Sequence, residues 1–481
     1  MISKNFIKNS VVYTISGTLP TASAIILLPF YVRNLSTSNF GILSIYLALA
    51  LIIQIIVSFS FDTSIYIHYH EYKNNKALLK RFVSSAFTFI LINGTILGAL
   101  LLVVGDAVFR LIFRDQPFSF YPYGILALVT GVLQAILKVH SSFVQTQQQS
   151  QVYFWSNLFF FLLISVLTVL GFFFFPKSLI GPIAGRLLAA LLVAGWAFLR
   201  IVNLYGIQFN YGVIKESFSF NFYSMIYQML QWTMNYFDRI LVSLFLPLSL
   251  VGIYGFVLSC LIVIEFVLNG LNNSFFPKVV ANVISQQVKQ SSLEINRYYY
   301  GLTGITIILV TGSILFFPIL LKLFVKKKEY LEAIPYISYA SIIYLFRSIR
   351  LYFGIPFGAL KYTKTLPVIY TIVSSVKAIL IVLLVKNFEL YGVIFSSLIA
   401  FVVEIFLIYF DGRSRFKFKF NFFKIIFAPL LIAVLILILE PTFGEKFSLM
   451  LHVLYVLVSL VLLIWIFRRE IATIYTTKIF K

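Results

Sequence analysis

"QWTMNYFDRILVSLFLPLSLVGIYG", residues 231–255, sets Asp238 and Arg239 side by side in a run that otherwise reads as lipid-facing. On insertion scales each charge at the centre of a bilayer costs about 2.5–3.5 kcal/mol. Such groups face a bundle interior or a wet cavity rather than lipid. The stretch therefore reads as one wall of a protein interior built inside a membrane.

The whole chain supports that reading. Of its 481 residues 60% are hydrophobic and only 11% charged, with a mean hydropathy of +0.97. A soluble core cannot hide that much apolar surface, whereas a bilayer can. The formal charge of +22 would suggest nucleic acid in a soluble chain. In a polytopic one it is the Lys and Arg of cytoplasmic loops, so no nucleic-acid partner is expected. The single cysteine, Cys260, forms no internal disulfide, and no metal-ligand spacing of Cys or His occurs. His68, His70 and Glu71 read as a solvated face. No GxxxxGK[ST] phosphate loop and no soluble domain stands out, so neither metal nor cofactor is expected. The polar opening "MISKNFIKNS" precedes a helix too long for a signal-peptide core and lacks a small-residue cleavage site. It reads as retained.

A span needs ~20 apolar residues. Fourteen are read: 11–33, 40–62, 82–104, 119–142, 152–174, 180–202, 218–246, 250–276, 299–324, 333–357, 366–385, 391–411, 420–439 and 448–468. Alternating strand segments of a barrel do not fit these continuous runs. An even count leaves both termini on one side. That side holds 23 of the loop Lys and Arg, Lys138 among them, against 10 opposite. The bias puts both termini in the cytoplasm. Lys326, Lys327 and Lys328 break the pattern. The longest polar gaps, near 203–217 and 277–298, are read as cytoplasmic loops.

Short exit-and-return turns recur at Gly41, Gly181, Gly252 and Gly392. Gly41 and Gly252 are 211 residues apart, and so are Gly181 and Gly392. The pattern predicts an all-α membrane protein of two pseudo-symmetric six-helix lobes, residues 1–210 and 211–425, with two further helices and a cytoplasmic tail in 426–481. Each half has an even number of spans, so the relating axis runs along the membrane normal.

The ionisable residues inside the spans are few. The cations are Arg186, Arg239, Arg347, Arg350 and Lys377. The acids are Asp62, near a helix end, Asp238, Glu265 and Glu404. Adjacent helical residues point about 100° apart, so Asp238 and Arg239 are expected to look toward different partners. Glu265 lies at a depth comparable to Asp238 and is a candidate partner for Arg239 or for a cation of the other half. Arg347 and Arg350 share one helical face. These charges either pair off as assembly contacts or hold a ligand. The first span carries Gly17, Pro20 and Pro29, and reads as a hinge or as a static kink.

"NYFDRILVSLFLPLSLVGIYGFVLS" resembles the seventh and eighth helices of the polysaccharide, or O-antigen type, flippases, in which Asn-x-x-Asp-Arg leads through a turn into Gly-x-Tyr. Here those residues are Asn235, Asp238, Arg239, Gly252 and Tyr254. "FFPKVV" at 275–280 and "FSFDTSI" at 59–65 are similar to the family's exits from helices eight and two. The superfamily also holds lipid II flippases and multidrug exporters. The resemblance implies two lobes forming a V and a cationic central cavity. Its cargo would be an undecaprenyl-diphosphate-linked oligosaccharide carried from the inner to the outer leaflet of the bacterial cytoplasmic membrane. That step serves lipopolysaccharide or other surface polysaccharide assembly, alongside assembly proteins, membrane lipids and a coupling proton or sodium ion. On that reading Arg239, Arg347, Arg350, Lys377 and Arg186 bind cargo. Asp62, Asp238, Glu265 and Glu404 couple an ion or pair, and Gly17, Pro20 and Pro29 hinge. A cation-coupled exporter of drugs or small molecules is the alternative. A membrane enzyme would need a long outer loop with a base or metal site, which the chain lacks.

Overall fold

The computed structural model describes residues 4–113, 116–285, 292–360, 362, 364–443 and 449–476. Its helices are α1 (Lys4–Asn34), α2 (Thr37–Ser58), α3 (Phe61–Tyr72), α4 (Lys76–Ile112), α5 (Ile125–Thr146), α6 (Ser150–Phe174), α7 (Ile180–Tyr205), α8 (Tyr211–Ser243), α9 (Leu248–Ser285), α10 (Leu293–Phe324), α11 (Ile334–Phe353), α12 (Ile355–Ala359), α13 (Leu366–Arg413), α14 (Ala428–Phe443) and α15 (Leu449–Thr476). No strand element occurs among the described residues. The ends Met1 and Lys481, whose side the charge bias assigns, lie outside them.

The fourteen expected spans map onto these helices once two breaks are recognised. α2 and α3 are one span bent at Phe59 (φ 45°) and Ser60 (φ 55°), both left-handed. The bend frees carbonyls near the end of α2. Asn93 on α4 answers it, donating from Nδ2 to the carbonyls of Ile56 at 2.8 Å and Val57 at 3.3 Å. In hydrocarbon only such a neighbour makes a broken helix tolerable. α13 is 48 residues long, ~72 Å at the helical rise and more than twice a bilayer core. It turns at Glu389 (φ 47°, ψ −127°), between the two spans expected there.

Two expected loops are mostly helix. α8 begins at Tyr211, with the Asn210 side chain accepting from the Val213 amide. α9 continues through Pro277 to Ser285, and Ser292 caps α10. Hydropathy marks where lipid ends. A helix bonds its backbone internally and runs on through polar residues.

The chain divides into two compact units, Met1–Gly255 and Phe256–Lys481. In the first, α6 packs between α1 and α7, and α5 packs against α2, α3 and α7. α8 packs on α2, α3 and α4. In the second unit α11 is central, flanked by α10, α13 and α14, and α15 lies against α10. This division by packing falls at Gly255, not at the lobe boundary near residue 210 expected from the sequence.

The repeat glycines explain themselves in space. Gly41, near the start of α2, meets Gly252, near the start of α9. A Cβ on Gly252 would overlap the Thr37 carbonyl and lie 2.9 Å from the Gly41 nitrogen. A Cβ on Gly41 would overlap the Leu248 carbonyl. Small residues let membrane helices cross backbone to backbone, and this crossing admits no side chain on either strand of the contact. Gly270 on the same helix has nothing within 4 Å of its Cβ position. Replacing Gly252 by Val forces the crossing apart, an overpacking cost of about 1–3 kcal/mol. The expected outcome is a lower melting temperature for Gly252→Val in detergent and none for Gly270→Ala. Equal melting of the two variants contradicts the contact.

Candidate functional site

The opening pair of charges has its answer in three contacts on α8 and α9. Asp238 is buried, 3% exposed. Its Oδ2 accepts from the Tyr254 hydroxyl at 2.8 Å. Its Oδ1 accepts from the Arg239 amide at 2.9 Å and from Arg239 Nη1 at 3.1 Å. The same Nη1 donates to the Asn235 carbonyl one turn back, at 2.8 Å, and the guanidinium lies 5.1 Å from the Tyr236 ring. Asn235, Asp238, Arg239 and Tyr254, spread along the motif, form one constellation. The expectation that Asp238 and Arg239 avoid each other is corrected. Their Cβ directions diverge, but the long arginine folds back along its own helix and brings its end group to the carboxylate.

The second unit holds two more pairs. Arg347 Nη2 lies 2.9 Å from Glu265 Oε1 on α9. Arg350 Nε donates to Glu404 Oε1 on α13 at 2.7 Å, and Arg350 Nη2 also reaches the Tyr370 hydroxyl. Glu404 is 1% exposed. One face of α11 therefore ties α9 and α13 through separate acids. Glu265, a candidate partner for Arg239, belongs to Arg347 instead. Position along a span does not say which neighbour a side chain faces. Lys377 is buried on α13.

Asp62 has a cation of its own, one first counted among the loops. Lys138 Nζ on α5 lies 3.3 Å from Asp62 Oδ2 and donates to Gln228 Oε1 on α8 at 2.6 Å. Gln228 Nε2 in turn donates to Asp62 Oδ2 at 3.4 Å. The ring of Asp62, Lys138 and Gln228 joins α3, α5 and α8. Sequence reading missed both Lys138 and Gln228. Lys138 sits close to the predicted inner end of its span, and Gln228 carries no charge to mark it.

Arg186 on α7 donates from Nη1 to the Tyr31 hydroxyl on α1 at 3.2 Å. α1 itself stays helical through Pro20 and Pro29. Each proline removes one backbone donor, which leaves the Ser16 and Ile25 carbonyls without their helical bond. Ser23 donates to the Pro20 carbonyl at 2.6 Å. Gly17 admits α6: a Cβ there would lie 2.7 Å from the Tyr153 hydroxyl. Arg239, Arg347 and Arg186 each bond the protein through a single side-chain nitrogen among the described residues. No His, Cys, Asp and Glu cluster that would hold a metal occurs among the described residues.

Arg350 and Glu404 make the sharpest test of pairing, because the acid is sealed from solvent. Removing one partner of a buried pair costs about 3–5 kcal/mol. Arg350→Gln should therefore lower the melting temperature by many degrees in detergent, and Arg350→Gln with Glu404→Gln should recover most of the loss. A double variant no more stable than the single one refutes the pair.

The sequence is similar to a Shigella flexneri protein assigned as an O-antigen transporter, 22% identical over 376 residues that cover 74% of this chain and 85% of that one. The fold is similar to that of the lipid II flippase MurJ in an inward closed conformation, with a TM-score of 0.72 at 15% identity, over 96% of this chain and all of that one. It is also similar to the MATE multidrug transporter DinF-BH, with a TM-score of 0.59 at 14% identity, over 87% of this chain and 97% of that one. Residues 6–282 match the sequence profile of the polysaccharide biosynthesis protein family, more than half of the 481 residues, and the chain is a multi-pass membrane protein belonging to that family.

Proposed function

We propose that this protein flips an undecaprenyl-diphosphate-linked oligosaccharide from the inner to the outer leaflet of the bacterial cytoplasmic membrane by alternating access. The product serves surface polysaccharide assembly, of which O-antigen is one form. On this reading the working halves are the six-helix lobes 1–210 and 211–425, with 426–481 outside the repeat. The observation that carries the proposal is the state of the intramembrane arginines. Arg186, Arg239 and Arg347 each bond the protein through a single side-chain nitrogen among the described residues, and a guanidinium offers two parallel donors to phosphate. The acids beside them are each matched by a cation, so the ionisable set favours an anionic cargo. An exporter of cationic drugs needs an acid held for its substrate. Arg350 and Lys377 complete the cargo-facing set, and Asp62 is the acid offered for a coupling proton or sodium ion.

The test is surface polysaccharide restored in a strain lacking its own flippase, with membrane protein level measured alongside. Arg347→Ala, and Arg239→Ala combined with Asp238→Asn so that no buried acid is left unmatched, should abolish export at normal protein level. The Lys variants should retain about a tenth of it, because one charge-assisted hydrogen bond is worth about 1.5–3 kcal/mol. Wild-type export from Arg239→Gln combined with Arg347→Gln sinks cargo binding by these residues.

The hinge is tested in the same assay. Each proline of α1 removes one backbone donor, which makes the helix easier to bend. Pro20→Ala restores one donor and should slow export several-fold while the protein accumulates normally. Export at the original rate means that α1 does not bend there.

A further inference from the structure

α13 ends at Arg413 within "GRSRFKFKFNFFK", residues 412–424, which alternates cation and phenylalanine. The segment after Arg413 is not helical until Phe422. In extended backbone successive side chains point to opposite sides, at about 6.6 Å between alternate residues. Phe416 is fully buried, and Phe418 and Phe420 are half-buried. Phe418 packs on Phe353 with ring centroids 5.2 Å apart, and Phe420 on Tyr352 at 5.5 Å. The backbone is pinned as well. The Lys419 carbonyl accepts from Asn296 Nδ2 at 2.6 Å, and the Asn421 amide donates to the Tyr300 hydroxyl at 2.7 Å. The cations are thereby turned outward. Arg413, Arg415, Lys417 and Lys419 are all exposed. The Arg415 guanidinium carbon lies over the Tyr362 ring, 3.4 Å from its centroid.

No Asp or Glu occurs between Asp411 and Glu440. Asp411 itself accepts from Thr365 at 2.6 Å and Tyr362 at 3.5 Å. Just beyond the row, Phe422, Phe423 and Phe427 are exposed, leading into the apolar α14. Exposed rings next to a membrane helix sit at the interface, which sets the row of cations at head-group level. Loop cations that merely orient a membrane protein need no fixed backbone. These four are presented by one.

We propose that residues 413–419 form a binding surface for the phosphate groups of anionic phospholipids in the leaflet they face. The inference rests on α13 and α14 being spans and not on the nature of the cargo. The match is of charge and of place: a fixed cationic row meets phosphodiester head groups, while the neighbouring phenylalanines meet their acyl region. It would hold the connection between the repeat and α14 against the membrane surface.

The experiment is native mass spectrometry of the full-length protein in detergent, titrated with phosphatidylglycerol, phosphatidylcholine, a polyprenyl diphosphate and inorganic pyrophosphate. Phosphatidylglycerol should be retained over phosphatidylcholine and lost as salt rises. Arg413→Gln with Lys417→Gln and Lys419→Gln should weaken it by about five-fold per charge removed. Lys417→Arg with Lys419→Arg should keep it. Melting temperature identifies any variant that fails to fold, and the salt dependence of the wild type then carries the test. Equal retention of the two phospholipids, salt-independent retention, or full retention by the folded triple Gln variant overturns the proposal. So does displacement by pyrophosphate, or preference for the polyprenyl diphosphate, since either assigns the row to a diphosphate head group instead.

Discussion

A carboxylate in hydrocarbon has no water to face, and this single constraint arranges the interior of the protein. Asp62, Asp238, Glu265 and Glu404 are each brought to a cation: Lys138, Arg239, Arg347 and Arg350. Three of the four pairs join different helices, and the fourth is tied to α9 through Tyr254. Breaking such a pair leaves a buried charge, which costs more than the intact pair contributes. The pairs therefore specify which helix lies beside which.

The same lack of water governs the backbone. A span can break only where a neighbour meets the freed groups. The α2–α3 bend has Asn93. The turn at Glu389 lies where α13 is long enough to have crossed the membrane once. At Gly41 and Gly252 the problem is reversed, since the backbones meet directly and any side chain would part them. The equivalent glycines of the other turn, Gly181 and Gly392, pack against the segment that precedes each of them, on Gly171 and Leu384.

Much of the architecture was legible for one reason: hydrophobic length and helix length nearly coincide in a membrane. The span count, the glycine register and the Asn235, Asp238, Arg239 and Tyr254 motif were all open to reading. Hydropathy misled where helices leave the lipid, as at Tyr211 and Ser285. It also misled at Lys138, which seemed a loop charge and is a half-buried partner of Asp62 and Gln228. Gln228 bears no mark in the sequence, because an amide becomes significant only through what it is placed between.

The sequence by itself determined that the chain lies in a membrane, roughly where it crosses, and which rare charges must be satisfied there. Those properties follow from composition along the chain, since transfer to lipid is priced residue by residue. Only the tertiary structure decided who satisfies whom: Arg347 with Glu265, Arg350 with Glu404, and Arg239 with its own neighbour. Pairing depends on helix rotation and on the reach of long side chains. Both are settled by packing between segments far apart in sequence.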